Sequence, residues 1–312
     1  MILDYFIYLL ISFVFFAIGG NLIVKSLIKV EKYYHLREFV VGFLLIGIST
    51  SVPELSVGII SSLNNISSLS FGNIIGANFV VLTLVMGVVT LISKSVKFEA
   101  QLEKGTIFII AAMTILPLIL FLDQELSRID GFILIIAFFL YIARLLIIRK
   151  KFKEAKDGTV SKREVHKDIL LFIIGLSILI IFARIIVYLA SQIASELAFP
   201  PIVIGLIIVS MGTTLPEIFF ETKSVLKGHS SLALGDLLGS LAFNSTLVLG
   251  IASLLSPIQA PFSSFVKGSM FFLVSLLTFL VFARTGNEIT RKEGIVLLIL
   301  YILFVTSNIL FR

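Results

Sequence analysis

Two short stretches hold the residues best equipped for chemistry: GISTSVPE at 47–54 and MGTTLPE at 211–217. Each sets a glutamate, Glu54 or Glu217, directly after a proline, with Thr50 or Thr213 four positions earlier, one helical turn away on the same face. Ser51 and Thr214 flank those threonines. Both stretches lie inside apolar runs. An ionised carboxylate in hydrocarbon costs on the order of 3 kcal/mol on insertion scales, so a glutamate placed there is functional by default. Two carboxylates with hydroxyl neighbours make a hard, oxygen-only set suited to a divalent cation such as Ca2+, which takes about six to eight oxygens. The chain has no cysteine, and His35, His166 and His229 fall between apolar runs without metal spacing, which excludes thiolate and soft-metal sites.

Pro53 and Pro216 lack the N–H that would pair with the carbonyl four residues back, so the carbonyls of Ser49 and Gly212 are expected to be released for cation binding. A plain kink with a back-bonded hydroxyl is the ordinary reading of one such motif. The duplicated set with its glutamates argues for a site. Further on, GNIIGANFVV (72–81) and GDLLGSLAFN (235–244) each contain a Gly-x-x-x-Gly spacing, which read by itself means close helix packing at Gly72, Gly76, Gly235 and Gly239. Beside these, Asn78, Ser240 and Asn244 either face the glutamates or bond between helices. Asn73 and Asp236 are expected nearer the ends of their helices, where an ionised Asp236 is tolerated, orienting the site rather than touching the ion. Glu221, one turn beyond Glu217 and matched in the first half by Gly58, is expected to line a vestibule or interface. Arg184, inside an apolar run, is expected to snorkel or to pair with Glu196.

The elements that must position these residues follow from composition: 58% of the 312 residues are hydrophobic and 14% charged. Ten apolar runs approach the roughly 20 residues needed to cross a bilayer, at about 3–24, 38–63, 69–93, 105–122, 130–148, 168–190, 199–222, 232–255, 264–283 and 293–311. The runs are continuous rather than alternating, which favours helices over a membrane barrel. The first has no basic segment ahead of it and no small-residue cleavage pattern behind it, so it reads as a helix and not a cleaved signal peptide. The expectation is an all-α membrane protein with ten transmembrane helices.

An ungapped shift of 163 residues pairs Thr50 with Thr213, Pro53-Glu54 with Pro216-Glu217, Gly72 with Gly235, Thr83 with Thr246 and Gly42 with Gly205. The chain therefore divides into a five-helix repeat at 1–148, a basic linker at 149–167 and a second five-helix repeat at 168–312. An odd number of spans per repeat makes the repeats inverted. Of the 25 Lys and Arg residues, 21 fall in one set of alternate connections, which places those connections in the cytoplasm and both termini outside the cell (inner) membrane. The net charge of +6 follows from this asymmetry and needs no nucleic-acid partner.

Inverted repeats whose broken helices meet at the midplane mark secondary transporters. A passive channel would carry flux with no counter-ion. A membrane-embedded enzyme using Glu54 and Glu217 as acid and base would need a nucleophile or histidine that the apolar runs lack.

At these residues the chain resembles the sodium/calcium exchanger branch of the cation/calcium antiporter family, whose two repeats each carry a T-S-x-P-E-like helix and a G-x-x-x-G-S-N-like helix. The resemblance covers essentially the whole chain. It implies a ten-helix fold with outside termini, four central helices around the ion sites, and the first and sixth helices sliding across them. By that likeness Glu54 and Glu217 bind Ca2+ with Thr50 and Thr213. Ser51, Thr214, Ser240 and the backbone carbonyls of Gly47 and Ser210 bind Na+, and Asn78, Asn244 and Asp236 complete the polar set. The likeness implies alternating-access antiport of Ca2+ against Na+, with no cofactor, a monomeric protein and a lipid bilayer around it. The chain departs from the pattern at Ala77, where Ser is usual, at Val81 and Leu241, where an amide is usual, and at Asn244, often an acid. Three separate Na+ sites are therefore not carried over. Exchange of H+ for Ca2+ or another divalent cation is the alternative, since a carboxyl group in hydrocarbon can be neutralised by a proton as well as by a metal ion.

Overall fold

The computed structural model describes residues 2–34, 47–97, 104–149, 162–284 and 288–310. Gly42, Arg37, His35 and most of the basic linker (150–161) lie outside the described residues. Long apolar stretches give long helices, even with Pro117 inside one of them: α1 (Ile2–Tyr34), α6 (Lys104–Leu120), α7 (Arg128–Arg149), α8 (Lys162–Glu196), α14 (Phe262–Arg284) and α15 (Arg291–Leu310). The motif-bearing segments are broken instead. They run α2 (Gly47–Thr50) and α3 (Val52–Leu63), then α4 (Ser67–Val80), a π-helical turn at Val81–Val85 and α5 (Met86–Ser93). In the second half come α9 (Pro201–Ile204), a π-helical turn at Gly205–Val209, α10 (Ser210–Thr213) and α11 (Leu215–Leu226), followed by α12 (Ser230–Phe243), a π-helical turn at Asn244–Val248 and α13 (Leu249–Leu255).

Among the described residues six helical stretches are long and apolar enough to cross a membrane, and a seventh is reached if Pro201–Thr213 and Leu215–Leu226, bent by 42°, form one span. Ser67–Ser93 and Ser230–Leu255 are 83% buried, against 28% for Leu170–Glu196, so these two stretches form the middle of the bundle. α1 and α8 pack along each other at the periphery and turn Leu3, Leu10, Val14, Ile173, Ile181 and Tyr188 outward, the surface a lipid phase requires.

Two differences from the expected all-α plan stand out. Helices α1 and α8 run past their apolar runs into the basic flanks, because Lys, Glu and Leu continue a helix readily where no Gly or Pro stops it. Two short antiparallel strand pairs are also present: β1 (Ser95–Lys97) with β4 (Glu288–Thr290), and β2 (Glu125–Leu126) with β3 (Ile258–Gln259). Each pair joins a connection of the first half to one of the second, and the 163-residue shift carries one pair onto the other.

Candidate functional site

The two glutamates sit where helices restart. The helix is interrupted at Ser51 (φ −84°, ψ −1°) and, in nearly the same conformation, at Thr214 (φ −83°, ψ 4°). Pro53 and Pro216 are then the second residues of α3 and α11, where a missing N–H needs no partner. The break precedes each proline. Ser51 N–H donates to the Gly47 carbonyl at 3.3 Å and Thr214 N–H to that of Ser210 at 3.1 Å. Thr50 Oγ1 also reaches Gly47 O (3.4 Å), while Thr213 Oγ1 (3.2 Å) and Thr214 Oγ1 (2.9 Å) reach Ser210 O. Both predicted backbone ligands are thus already engaged as acceptors. Each restart puts its glutamate in the first turn of a helix, where the aligned peptide dipoles favour negative charge.

Glu54 and Glu217 are both fully buried, and none of their four carboxylate oxygens has a hydrogen-bond partner. The two lie within electrostatic reach of each other, with Thr213 beside Glu54. Among the described residues no Lys, Arg or His is buried, so no side chain in the core supplies positive charge. Buried charges are paired or bind metals. Among the described residues no group of three or more His, Cys, Asp or Glu is arranged to hold a metal by itself. Further oxygens for a cation would come from hydroxyls, amides and carbonyls.

Around the glutamates the helices are cross-linked by polar contacts. Thr50 Oγ1 donates to Asp236 Oδ1 at 2.8 Å, and Thr213 Oγ1 to Asn73 Oδ1 at 3.2 Å, the same contact repeated between halves. Asp236 lies six residues into α12, towards its connection end, but not where water reaches it as expected. It is fully buried, with the Thr50 hydroxyl in place of water, and within reach of Glu54 and Glu217. Asn78 Nδ2 donates to Ser245 Oγ at 2.7 Å and Asn244 Nδ2 to Asn78 Oδ1 at 3.4 Å, so these amides bond between helices. Ser240 Oγ donates to its own helix at Leu237 O (3.0 Å), whereas Ser51 Oγ is buried with no partner.

The structure narrows two further expectations. Glu221, expected at a vestibule or interface, is fully buried, and neither carboxylate oxygen has a hydrogen-bond partner. Arg184 cannot pair with Glu196, because both lie on the unbroken helix α8, twelve residues and therefore about 18 Å apart. Ser245 escaped notice in the sequence, since the shift places it opposite an apolar residue, Leu82. The Gly-x-x-x-Gly spacing does pack helices. A Cβ on Gly76 would lie 2.4 Å from Leu206 O and 2.7 Å from Ser210 Oγ, and one on Gly47 would lie 3.0 Å from Gly239 Cα.

Apolar helices wrapped around a buried set of carboxylates, hydroxyls and amides define a multi-pass membrane protein. Residues 5–147 and 167–310 match the sodium/calcium exchanger protein family, and the chain belongs to that family. It is 29% identical to the sodium/calcium exchanger MaX1 of Methanosarcina acetivorans, over 97% of this chain and 98% of that protein. It is 26% identical to the inner membrane protein YrbG of Escherichia coli, over 85% of each. Its fold is that of the sodium-calcium exchanger NCX_Mj, with a TM-score of 0.71 at 23% identity and full coverage of both chains.

Proposed function

We propose that this chain is a secondary active antiporter that exchanges Ca2+ for Na+ by alternating access. Its ten spans form two inverted five-helix repeats (1–148 and 168–312) joined by a cytoplasmic linker, with both termini outside. The observation that carries the reading is the pair of fully buried glutamates, Glu54 and Glu217, with all four carboxylate oxygens unpartnered at matching helix restarts. Two negative charges and open oxygens in an apolar bundle suit Ca2+. Thr50 and Thr213, each one turn from its glutamate, complete the Ca2+ shell. Na+ ions compete for overlapping oxygens of Ser51, Thr214, Ser240 and the Gly47 and Ser210 carbonyls, which couples the two fluxes. The inverted arrangement is supported by the strand pairs and the Thr50–Asp236 and Thr213–Asn73 contacts, each carried onto its counterpart by the repeat shift. The name borne by MaX1 supports the same cargo. Family membership speaks for transport rather than enzymatic catalysis.

The test is 45Ca2+ uptake into proteoliposomes loaded with Na+ or K+ at equal pH. An outward Na+ gradient should drive uptake, and Glu54→Gln and Glu217→Gln should each abolish it. Uptake driven only by a pH gradient would reassign the coupling ion to H+, and uptake with no counter-ion dependence would make the protein a channel.

A further inference from the structure

The second half carries two buried acids that the first half lacks. At the 163-residue shift Glu221 matches Gly58 and Asp236 matches Asn73. Helices α11 and α12 pack against each other and are joined by residues 227–229. Glu221 lies seven residues before Gly228 and Asp236 eight after it, so both stand about 11 Å from the turn, at equal depth on neighbouring helices. That level is one helical turn from Glu217 towards the connection. Glu221 has both carboxylate oxygens unpartnered, and Asp236 offers Oδ1 to Thr50 while its Oδ2 meets no donor. The two carboxylates are within electrostatic reach of each other. Packing does not require acids here, because the same fold is built in the first half with a glycine and an amide.

We infer that Glu221 and Asp236 form an additional subsite for the transported hard cation, Na+ or Ca2+, present only on the 227–229 side of the central glutamates. This rests on the antiport reading and deepens it. The transport cycle becomes asymmetric: an ion arriving from the basic-loop face meets two carboxylates before the central pair, while an ion from the opposite face meets Gly58 and Asn73. With the Lys and Arg bias setting orientation, the staging position faces the cytoplasm.

The experiment uses membrane vesicles of both orientations, with apparent KM for 45Ca2+ and for 22Na+ measured at each face of the wild type, Glu221→Gln and Glu221→Asp. Removing one charge of a two-carboxylate site should raise KM for at least one cation about tenfold at the 227–229 face and less than about twofold at the other. Which cation shifts identifies the occupant, and Glu221→Asp, which keeps the charge, should restore it. An equal shift at both faces, no shift, or an aspartate variant as impaired as the glutamine one would overturn the subsite and leave Glu221 a structural residue. If Glu221→Gln does not fold, as judged by its melting curve in detergent, Glu221→Ser takes its place. Wild-type vesicles without Na+-driven 45Ca2+ flux would instead overturn the antiport reading. Equilibrium 45Ca2+ and 22Na+ binding in nanodiscs then decides the subsite separately: one fewer ion bound by the glutamine variant supports it, and unchanged stoichiometry sinks it.

Discussion

Thr50 serves two partners: it stands one turn before Glu54, and its hydroxyl donates to Asp236 across the repeat boundary at 2.8 Å. Replacing it with valine would leave a buried carboxylate oxygen without its donor, a loss of about 1–3 kcal/mol. Thr50→Val should therefore lower the melting temperature in detergent and weaken Ca2+ uptake, with Thr50→Ser recovering both. Thr213→Val orphans only a neutral amide oxygen on Asn73 and should cost less. An equal loss in the two variants would show that Asp236 is not charged in the folded protein. At this scale the sequence was legible where residues are duplicated. Glu54, Glu217, Thr50 and Thr213 stand out because the same pattern occurs twice. Depth was not legible: nothing in the spacing of Asp236 or Glu221 says whether a helical position faces water or core, and both proved fully buried. The Thr50–Asp236 bond spans 186 residues, beyond any local pattern.

Among the elements, the close approach of α4 to the α9–α10 segment depends on Gly76. A side chain there would collide with the Leu206 carbonyl at 2.4 Å, a backbone atom that cannot swing aside. Gly76→Val should push the helices apart at a cost of about 1–3 kcal/mol or more, seen as poor folding and lost exchange. Gly105 is a suitable control, since a Cβ there meets only Arg144 Nη2 at 3.8 Å. Gly105→Ala should be neutral or raise stability by up to about 1 kcal/mol through better helix propensity. Melting curves of the two variants decide the matter, and similar behaviour would refute the packing argument. The apolar runs located the helices because hydrocarbon-length stretches are the strongest pattern a chain carries. Their ends were less visible, as propensity carries α1 and α8 into charged sequence. The strands were invisible, because two or three residues make no pattern and their pairing is set by distant connections.

For the molecule as a whole, the proposed alternating access requires α1 and α8 to move together against the rest. The chain has no native cysteine to confuse a cross-linking test. Gly19 and Ile178 join α1 to α8, with a Cβ on Gly19 falling 3.2 Å from Ile178 Cβ, whereas one on Gly20 falls 3.6 Å from Pro216 Cβ and would tie α1 to the central break. Oxidising a cysteine pair at Gly19 and Ile178 should leave exchange intact, while the pair at Gly20 and Pro216 should stop it until reduced. Arrest by both would mean that the two helices slide past each other instead. The proposed two-part plan rests on the sequence repeat, and the proposed orientation on the Lys and Arg bias. How the halves interlock was not readable, since Thr50 bonds Asp236, Thr213 bonds Asn73 and each strand finds its partner in the other half. That interlocking bears on biogenesis. As the nascent chain enters the membrane from its N-terminus, Glu54, Thr50 and β1 wait for partners that the ribosome has not yet made. The first half must persist in the bilayer as an inserted but unfinished intermediate until residues 288–290 close the last strand pair and α15 packs on α5.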